Sequence, residues 1–293
     1  MFEGKHLLHG LLVTAMHGIM DLATTVTEPS IEHTHTVVFL HGRGDNAKDF
    51  STSLVFSIDS WNRTLLQAFP SFRWVFPSAK LRPCESDWGD NWGDMWSQWF
   101  DVYNVRDFKE REDLQLEGLK ESVPSIRRIL HREAAELGGR WDRLILMGIS
   151  QGAATAVHTL LNLDISNDDE GQPMRLGAFL GFSCRMPFAG RSLMETRVLL
   201  DLESVPNDAG VIRNTPVLLE HCVDDPLVLV EHGQALQRTL TDFGAQVDWK
   251  EYPKGGHWFN SPQGIDDAVA FIKGNLSGIP DEPIVRGRNH NAR

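Results

Sequence analysis

The sequence predicts a three-layer α/β domain: a mostly parallel central sheet flanked by helices on both faces. Three observations carry that reading. Short β-branched runs alternate with longer amphipathic stretches, several of the runs lack polar alternation, and one apolar run stops at a glycine-flanked serine before a helix-like stretch begins. Runs that are apolar on both faces suit strands buried between two helical layers, and the intervening helices supply the crossovers that parallel strands need.

The expected strands, in order, are 36–41 (TVVFLH), 72–77 (FRWVFP), 143–148 (RLILMG), 175–183 (RLGAFLGFS), 215–222 (TPVLLEHC) and 246–253 (QVDWKEYP). Their Val, Ile, Phe and Trp content fits a pleated, buried surface. Helices are expected over 113–137 and 231–244, the second stopping at a glycine. No internal repeat or composition shift marks a second domain, so 23–276 reads as one domain, with an N-terminal extension over 1–22. Residues 162–174 read as a polar surface loop and 277–293 as a flexible tail.

Composition narrows the function classes. The chain has 293 residues, 41% of them hydrophobic, enough for a sizeable core. A formal net charge of -12 argues against nucleic acid, whose phosphates demand clustered Lys and Arg. Cys84, Cys184 and Cys222 are odd in number and widely spaced, which suggests neither a disulfide framework nor a zinc site and points to a reducing, cytoplasmic setting. Cys184 reads as a buried inert thiol. The stretch 6–20 is the one targeting candidate, but histidines interrupt it, and no run reaches the length of a membrane span.

The run 143–161 (RLILMGISQGAATAVHTLL) places Ser150 between Gly148 and Gly152, at the junction of a strand and a helix. Gly-x-Ser-x-Gly in that context is a nucleophile elbow: the turn is too tight for bulky flanks, and the serine hydroxyl is lifted above the sheet edge. A tight turn with a serine N-cap is the blander alternative. A serine nucleophile needs a base and a carboxylate to orient it, in the chain order Ser, acid, His. Asp225 and His257 follow the next two strands, at the edge where open α/β sheets place ligands. Asp224 competes as the acid, although Pro226 fixes the turn beside Asp225; His221 and His232 fall where structural histidines are commoner. The oxyanion donors would be the N–H groups of Gln151, after the nucleophile, and Arg43, in the glycine-rich loop 41–46.

Two further stretches stand out. Trp88, Trp92, Trp96 and Trp99 recur at near-helical spacing, but Gly89 and Gly93 argue against a helix. These rings either pack a loop onto the core or line a substrate pocket, for which Trp258, beside the base, is also a candidate. The charged run 101–118 reads as a solvated helix face.

With these pieces placed, the chain resembles the phospholipase/carboxylesterase family of α/β-hydrolases, which includes acyl-protein thioesterases and lysophospholipases, and its fungal members above all. VVFLHGRGDN (37–46), RWVFPSA (73–79), SQWFD (97–101), GISQGAA (148–154), EHCVDDPLV (220–228) and GGHWF (255–259) carry the resemblance. It implies the α/β-hydrolase fold, Ser150 as nucleophile, Asp225 as acid, His257 as base, and Arg43 and Gln151 as oxyanion donors. Arg43 departs from the aliphatic residue usual in the animal thioesterases, and an arginine there could meet an anionic head group or shorten an apolar channel. The expected activity is hydrolysis of carboxylic esters or thioesters through an acyl-enzyme, with no metal or organic cofactor and with a rate that rises with pH through a histidine titration. Expected substrates are a small-molecule or lipid ester or an S-acylated protein; a homodimer is compatible with the sequence. The alternative is a binding protein or receptor that keeps the pocket without turnover.

Overall fold

The computed structural model describes residues 21–85, 93–165 and 174–280. Residues 1–20, which hold the targeting candidate, Trp88 and Trp92, most of the 162–174 loop (166–173) and the tail from 281 onward lie outside them.

The six expected strands form, with ends within a few residues of expectation: β2 (His35–Leu40), β3 (Phe72–Pro77), β6 (Leu144–Ile149), β7 (Ala178–Phe182), β8 (Val217–Cys222) and β9 (Val247–Tyr252). They pair in parallel in the order β3-β2-β6-β7-β8-β9. A seventh strand, β1 (Thr24–Thr27), adds antiparallel to β3 at one edge. Its four residues TTVT are β-branched but too short and polar to register as an apolar run.

Alternation along the buried strands explains the layers. On β2, Val38 and Leu40 point into one core while Val37 and Phe39 point into the other; on β6, Leu144 and Leu146 oppose Ile145 and Met147. The first core is closed by α3 (Leu114–Glu136) and α4 (Gln151–Leu161), and every residue of α4 is buried. The second is closed by α1 (Ala47–Ser53), α2 (Leu65–Ala68) and α8 (Gln263–Asn275). A fully buried Leu, Ile, Val or Phe contributes about 1.5–3 kcal/mol, so these two faces dominate the stability of the sheet. α5 (Leu193–Leu200), α6 (Gly210–Asn214) and α7 (Val230–Asp242) complete the crossovers.

One expectation is corrected. The stretch 101–118 is not a solvated helix face: the helix begins only at Leu114, and before it the chain runs in irregular turns. Trp96 lies on a short strand, β5 (Met95–Ser97), paired antiparallel with β4 (Leu81–Pro83), so Trp96 and Trp99 share no helical stripe.

Candidate active site

Ser150 sits where β6 ends and α4 begins, with φ 56° and ψ −123°, a conformation costly for a residue with a Cβ. The flanking glycines are required by contact. A Cβ on Gly148 would lie 2.5 Å from the Ala153 nitrogen, and one on Gly152 would lie 2.3 Å from the His41 carbonyl oxygen. Without those side chains α4 can start directly over the ends of β2 and β6. The Ser150 N–H donates to Phe182 O at the end of β7 (2.9 Å), and its carbonyl accepts from Ala154 N (3.0 Å), which fixes the strained backbone.

The candidate acid and base come from the ends of β8 and β9. Asp225, buried, accepts at Oδ1 from the N–H groups of Leu227 (2.9 Å) and Val228 (3.0 Å), and at Oδ2 from His257 Nδ1 (2.8 Å). His221 Nε2 lies 3.5 Å from the same Oδ2 and donates to Val228 O at 2.7 Å. Burial opposes ionisation of Asp225, but the hydrogen bonds from His221, His257 and the backbone outweigh it and hold the carboxyl well below the usual carboxylate range. Because Nδ1 of His257 faces a carboxylate, it carries the proton, and Nε2 is left to accept one. Asp224 points elsewhere: its exposed side chain accepts from Gly256 N at 2.8 Å and ties down the loop that presents His257. Gly255 in that loop has φ +146°, and a Cβ there would meet Cys222 Sγ at 2.4 Å.

The loop after β2 closes over the serine. A Cβ on Gly42 would lie 3.6 Å from the Ser150 Cβ. His41 braces this loop, donating from Nδ1 to Gly42 O (2.7 Å) and accepting at Nε2 from Ala79 N (3.0 Å). Burial lowers the pKa of His41, so the ring stays neutral and can play both parts. Among the described residues, no protein group accepts from the backbone N–H of Arg43 or Gln151. The Arg43 side chain runs along the tryptophan-rich segment, with Nε on Gln98 Oε1 (2.8 Å), Nη2 near Asp101 Oδ1 (3.4 Å) and Cys84 Sγ (3.0 Å), and the guanidinium 5.3 Å from the Trp96 ring centroid. Its charge is therefore already paired, which weighs against the head-group alternative and leaves the shortened channel. Gln151 grips the same segment, accepting from Trp99 N (2.8 Å) and donating to Phe100 O (2.6 Å).

Ser150, His257, Arg43 and Gln151 border one cavity of about 430 Å³, walled by Trp96, Trp258, Phe100, Val105 and Phe108. The sequence profile of the phospholipase/carboxylesterase family matches residues 22–276. The chain belongs to that family. It is 29% identical over 259 residues to acyl-protein thioesterase 1 of Gibberella zeae, covering 87% of this chain and 96% of the relative. It is 27% identical over 247 residues to carboxylesterase SOBER1 of Arabidopsis thaliana, covering 83% and 91%. Among solved structures, Zea mays acyl-protein thioesterase 2 superposes with a TM-score of 0.65 at 27% identity, over 87% of this chain and 99% of that one. The fold is that of the α/β hydrolases.

Within this phospholipase/carboxylesterase scaffold, the expected pocket tryptophans divide. Trp96 and Trp258 line the cavity, and Trp258 Nε1 donates to Ser57 Oγ (2.9 Å). Trp99 does not: it is fully buried, and its Nε1 donates to His41 O at 2.8 Å, so it packs beneath the loop after β2 rather than facing substrate. Sequence reasoning missed Val102, Val105 and Phe108, which turn inward from the irregular stretch before α3, and Arg185, which reaches the cavity from the loop after β7. The recurrence of apolar residues at 102, 105 and 108 within a charged run was the available signal.

Proposed function

We propose that this chain hydrolyses carboxylic esters or thioesters by nucleophilic catalysis at Ser150. The observation that carries the reading is the His257 Nδ1 to Asp225 Oδ2 hydrogen bond of 2.8 Å beside a serine held at φ 56°, in one apolar cavity. Ser150 Oγ attacks the acyl carbon while His257 Nε2 takes its proton; the tetrahedral oxyanion receives the N–H groups of Arg43 and Gln151. The carbon–oxygen or carbon–sulfur bond then breaks, and the same proton passes from His257 to the leaving group. Water, deprotonated by His257, releases the acyl group and regenerates Ser150. Asp225 stays ionised and stabilises the transient imidazolium.

The cavity walls favour an apolar acyl chain over a peptide, because beyond the reacting centre the lining groups are aromatic or aliphatic except for Asp45, Cys84 and Arg185. The relatives named as thioesterases and carboxylesterases support an S-acylated protein, a lipid ester or a small ester as substrate. The test is hydrolysis of 4-nitrophenyl esters from acetate to palmitate, together with labelling by a fluorophosphonate. Ser150→Ala and His257→Ala are expected to lose about 10⁴–10⁶ in kcat, and Ser150→Ala to lose labelling. A well-folded wild type that neither labels nor turns over any ester would make the chain a binding protein instead.

A further inference from the structure

Arg185 is the one cavity-lining cation, among the described residues, whose charge meets no carboxylate. It sits in the loop after β7, 7% exposed, with its guanidinium carbon 3.8 Å from the Phe108 ring centroid and 5.8 Å from that of Phe100. Its hydrogen bond among the described residues runs from Nη2 to Gln115 Oε1 (3.0 Å), and Gln115 is held in that orientation by donating from Nε2 to Phe108 O (2.9 Å). Glu112, the nearest acid influence, is occupied by Phe188 N at 2.6 Å and forms no ion pair with Arg185.

The other buried arginines show what a structural arginine looks like in this protein. Arg197 donates to the carbonyls of Leu161, Pro206 and Asp208, and Arg127 to those of Glu203 and Ser204. Arg43, in the same cavity, is bound by Gln98, Asp101 and Cys84. Arg185 differs from these: among the described residues one hydrogen bond, to Gln115, holds its guanidinium, and its side chain lines the cavity that Ser150 also lines. Burial lowers its pKa to about 10, so it is cationic at neutral pH. A buried cation with spare donors has a strong affinity for a planar oxyanion, which two parallel N–H groups can bind at once.

We propose that Arg185 selects acyl groups that end in a carboxylate, so that the preferred substrates are half-esters or half-thioesters of short dicarboxylic acids. The proposal rests on the hydrolase reading above. Distance keeps the chain short: Phe182 O holds the Ser150 N–H at 2.9 Å, and Arg185 follows three residues later, at most about 10 Å of backbone away. An apolar methylene chain would lie against Phe100 and Phe108 with its carboxylate on the guanidinium and Gln115 beside it. Arg185 makes and breaks no bond; acylation and deacylation proceed at Ser150 as described, and the acid leaves as a dicarboxylate.

The test compares mono-4-nitrophenyl adipate with its methyl-capped ester, each corrected for the rate seen with Ser150→Ala. The wild type is expected to prefer the free acid by about 10- to 100-fold in kcat/KM. R185Q should bring that ratio to about one, and R185K, which keeps the charge but loses the planar fork, should fall between. The ratio is read because loosened packing would slow both esters together. A wild-type ratio near one overturns the proposal, as does a preference unchanged in R185Q or, should that variant not fold, in R185K. Fluorophosphonate labelling separates the two readings: labelled protein with no preference removes the Arg185 assignment alone. If no ester is turned over and nothing labels, the hydrolase reading falls, and stabilisation of the wild type but not R185Q by monomethyl adipate in a thermal melt decides the anion site by itself.

Discussion

β8 and the loop after it bury two carboxyl groups in opposite states. Asp225, in the loop, accepts two backbone N–H groups and the imidazole of His257, with His221 close by, and is held ionised. Glu220, within the strand, has both oxygens buried and accepts no hydrogen bond among the described residues. Burial first, and then the negative charge of Asp267, push its pKa well above the usual carboxylate range, so Glu220 is neutral. The nearby Tyr252 hydroxyl donates to Asp267 Oδ2 (2.9 Å), and Lys250 pairs with Asp267 at 3.7 Å, so their lowering influence on Glu220 is outweighed by burial and Asp267. Both side chains are shielded from solvent, but Glu220 lies deeper and has fewer donors, so depth and donors together decide the charge.

The strongest way to break the comparison is Asp225→Asn. An asparagine in that place keeps the shape but turns an amide toward His257 and favours the wrong tautomer, so kcat/KM should fall by about 10⁴-fold, read by steady-state ester hydrolysis. Its folded pKa is depressed, so Asp225 contributes stability that is present above its unfolded value of about 3.9 and is lost as pH falls below it. In thermal melts the wild-type advantage over Asp225→Asn is therefore expected at pH 6 and should shrink toward pH 3. A variant that keeps full activity would remove Asp225 from the mechanism.

Glu220→Gln probes the other half. Its folded pKa lies above the unfolded value of about 4.3, so the folded chain holds a proton that the unfolded chain releases, and stability falls as pH rises from there. Glutamine has nothing to ionise. Melting curves should therefore show Glu220→Gln gaining on the wild type between pH 5 and pH 8, by about 2–4 °C for each kcal/mol relieved, with activity little changed. A constant difference across that range would mean that Glu220 is ionised in the folded chain.

The same contrast explains what the sequence could reveal. The inner strands were readable because both faces are buried, which leaves apolar runs such as 144–149, and the elbow was readable because contacts at Gly148 and Gly152 exclude any side chain. The proposed nucleophile, acid and base follow strand ends, so chain order and topology single them out together. Trp96 and Trp99 were not separable, since which ring enters the cavity depends on the β4–β5 pairing and on Gln151 gripping residues 99 and 100. Glu220 looked like any strand-end acid, because its state depends on Asp267, which arrives from α8. Arg185 was hidden for a like reason: Phe108 and Gln115 give it its surroundings, and they come from a distant part of the chain.

Asp224 offers the finest test, because it neighbours Asp225 and competed with it as the acid. Among the described residues its carboxylate makes a single hydrogen bond, to Gly256 N at 2.8 Å, and none to His257. Losing the charge on that acceptor weakens one hydrogen bond, on the order of 1 kcal/mol, and lets the glycine pair carrying the base wander. Asp224→Asn is therefore expected to lower kcat/KM by about fivefold without shifting the melting temperature at pH 6 toward that of Asp225→Asn. Equal losses in the two variants would mean that the adjacent acids share the work of holding His257, and that the 2.8 Å bond to Asp225 does not by itself define the acid.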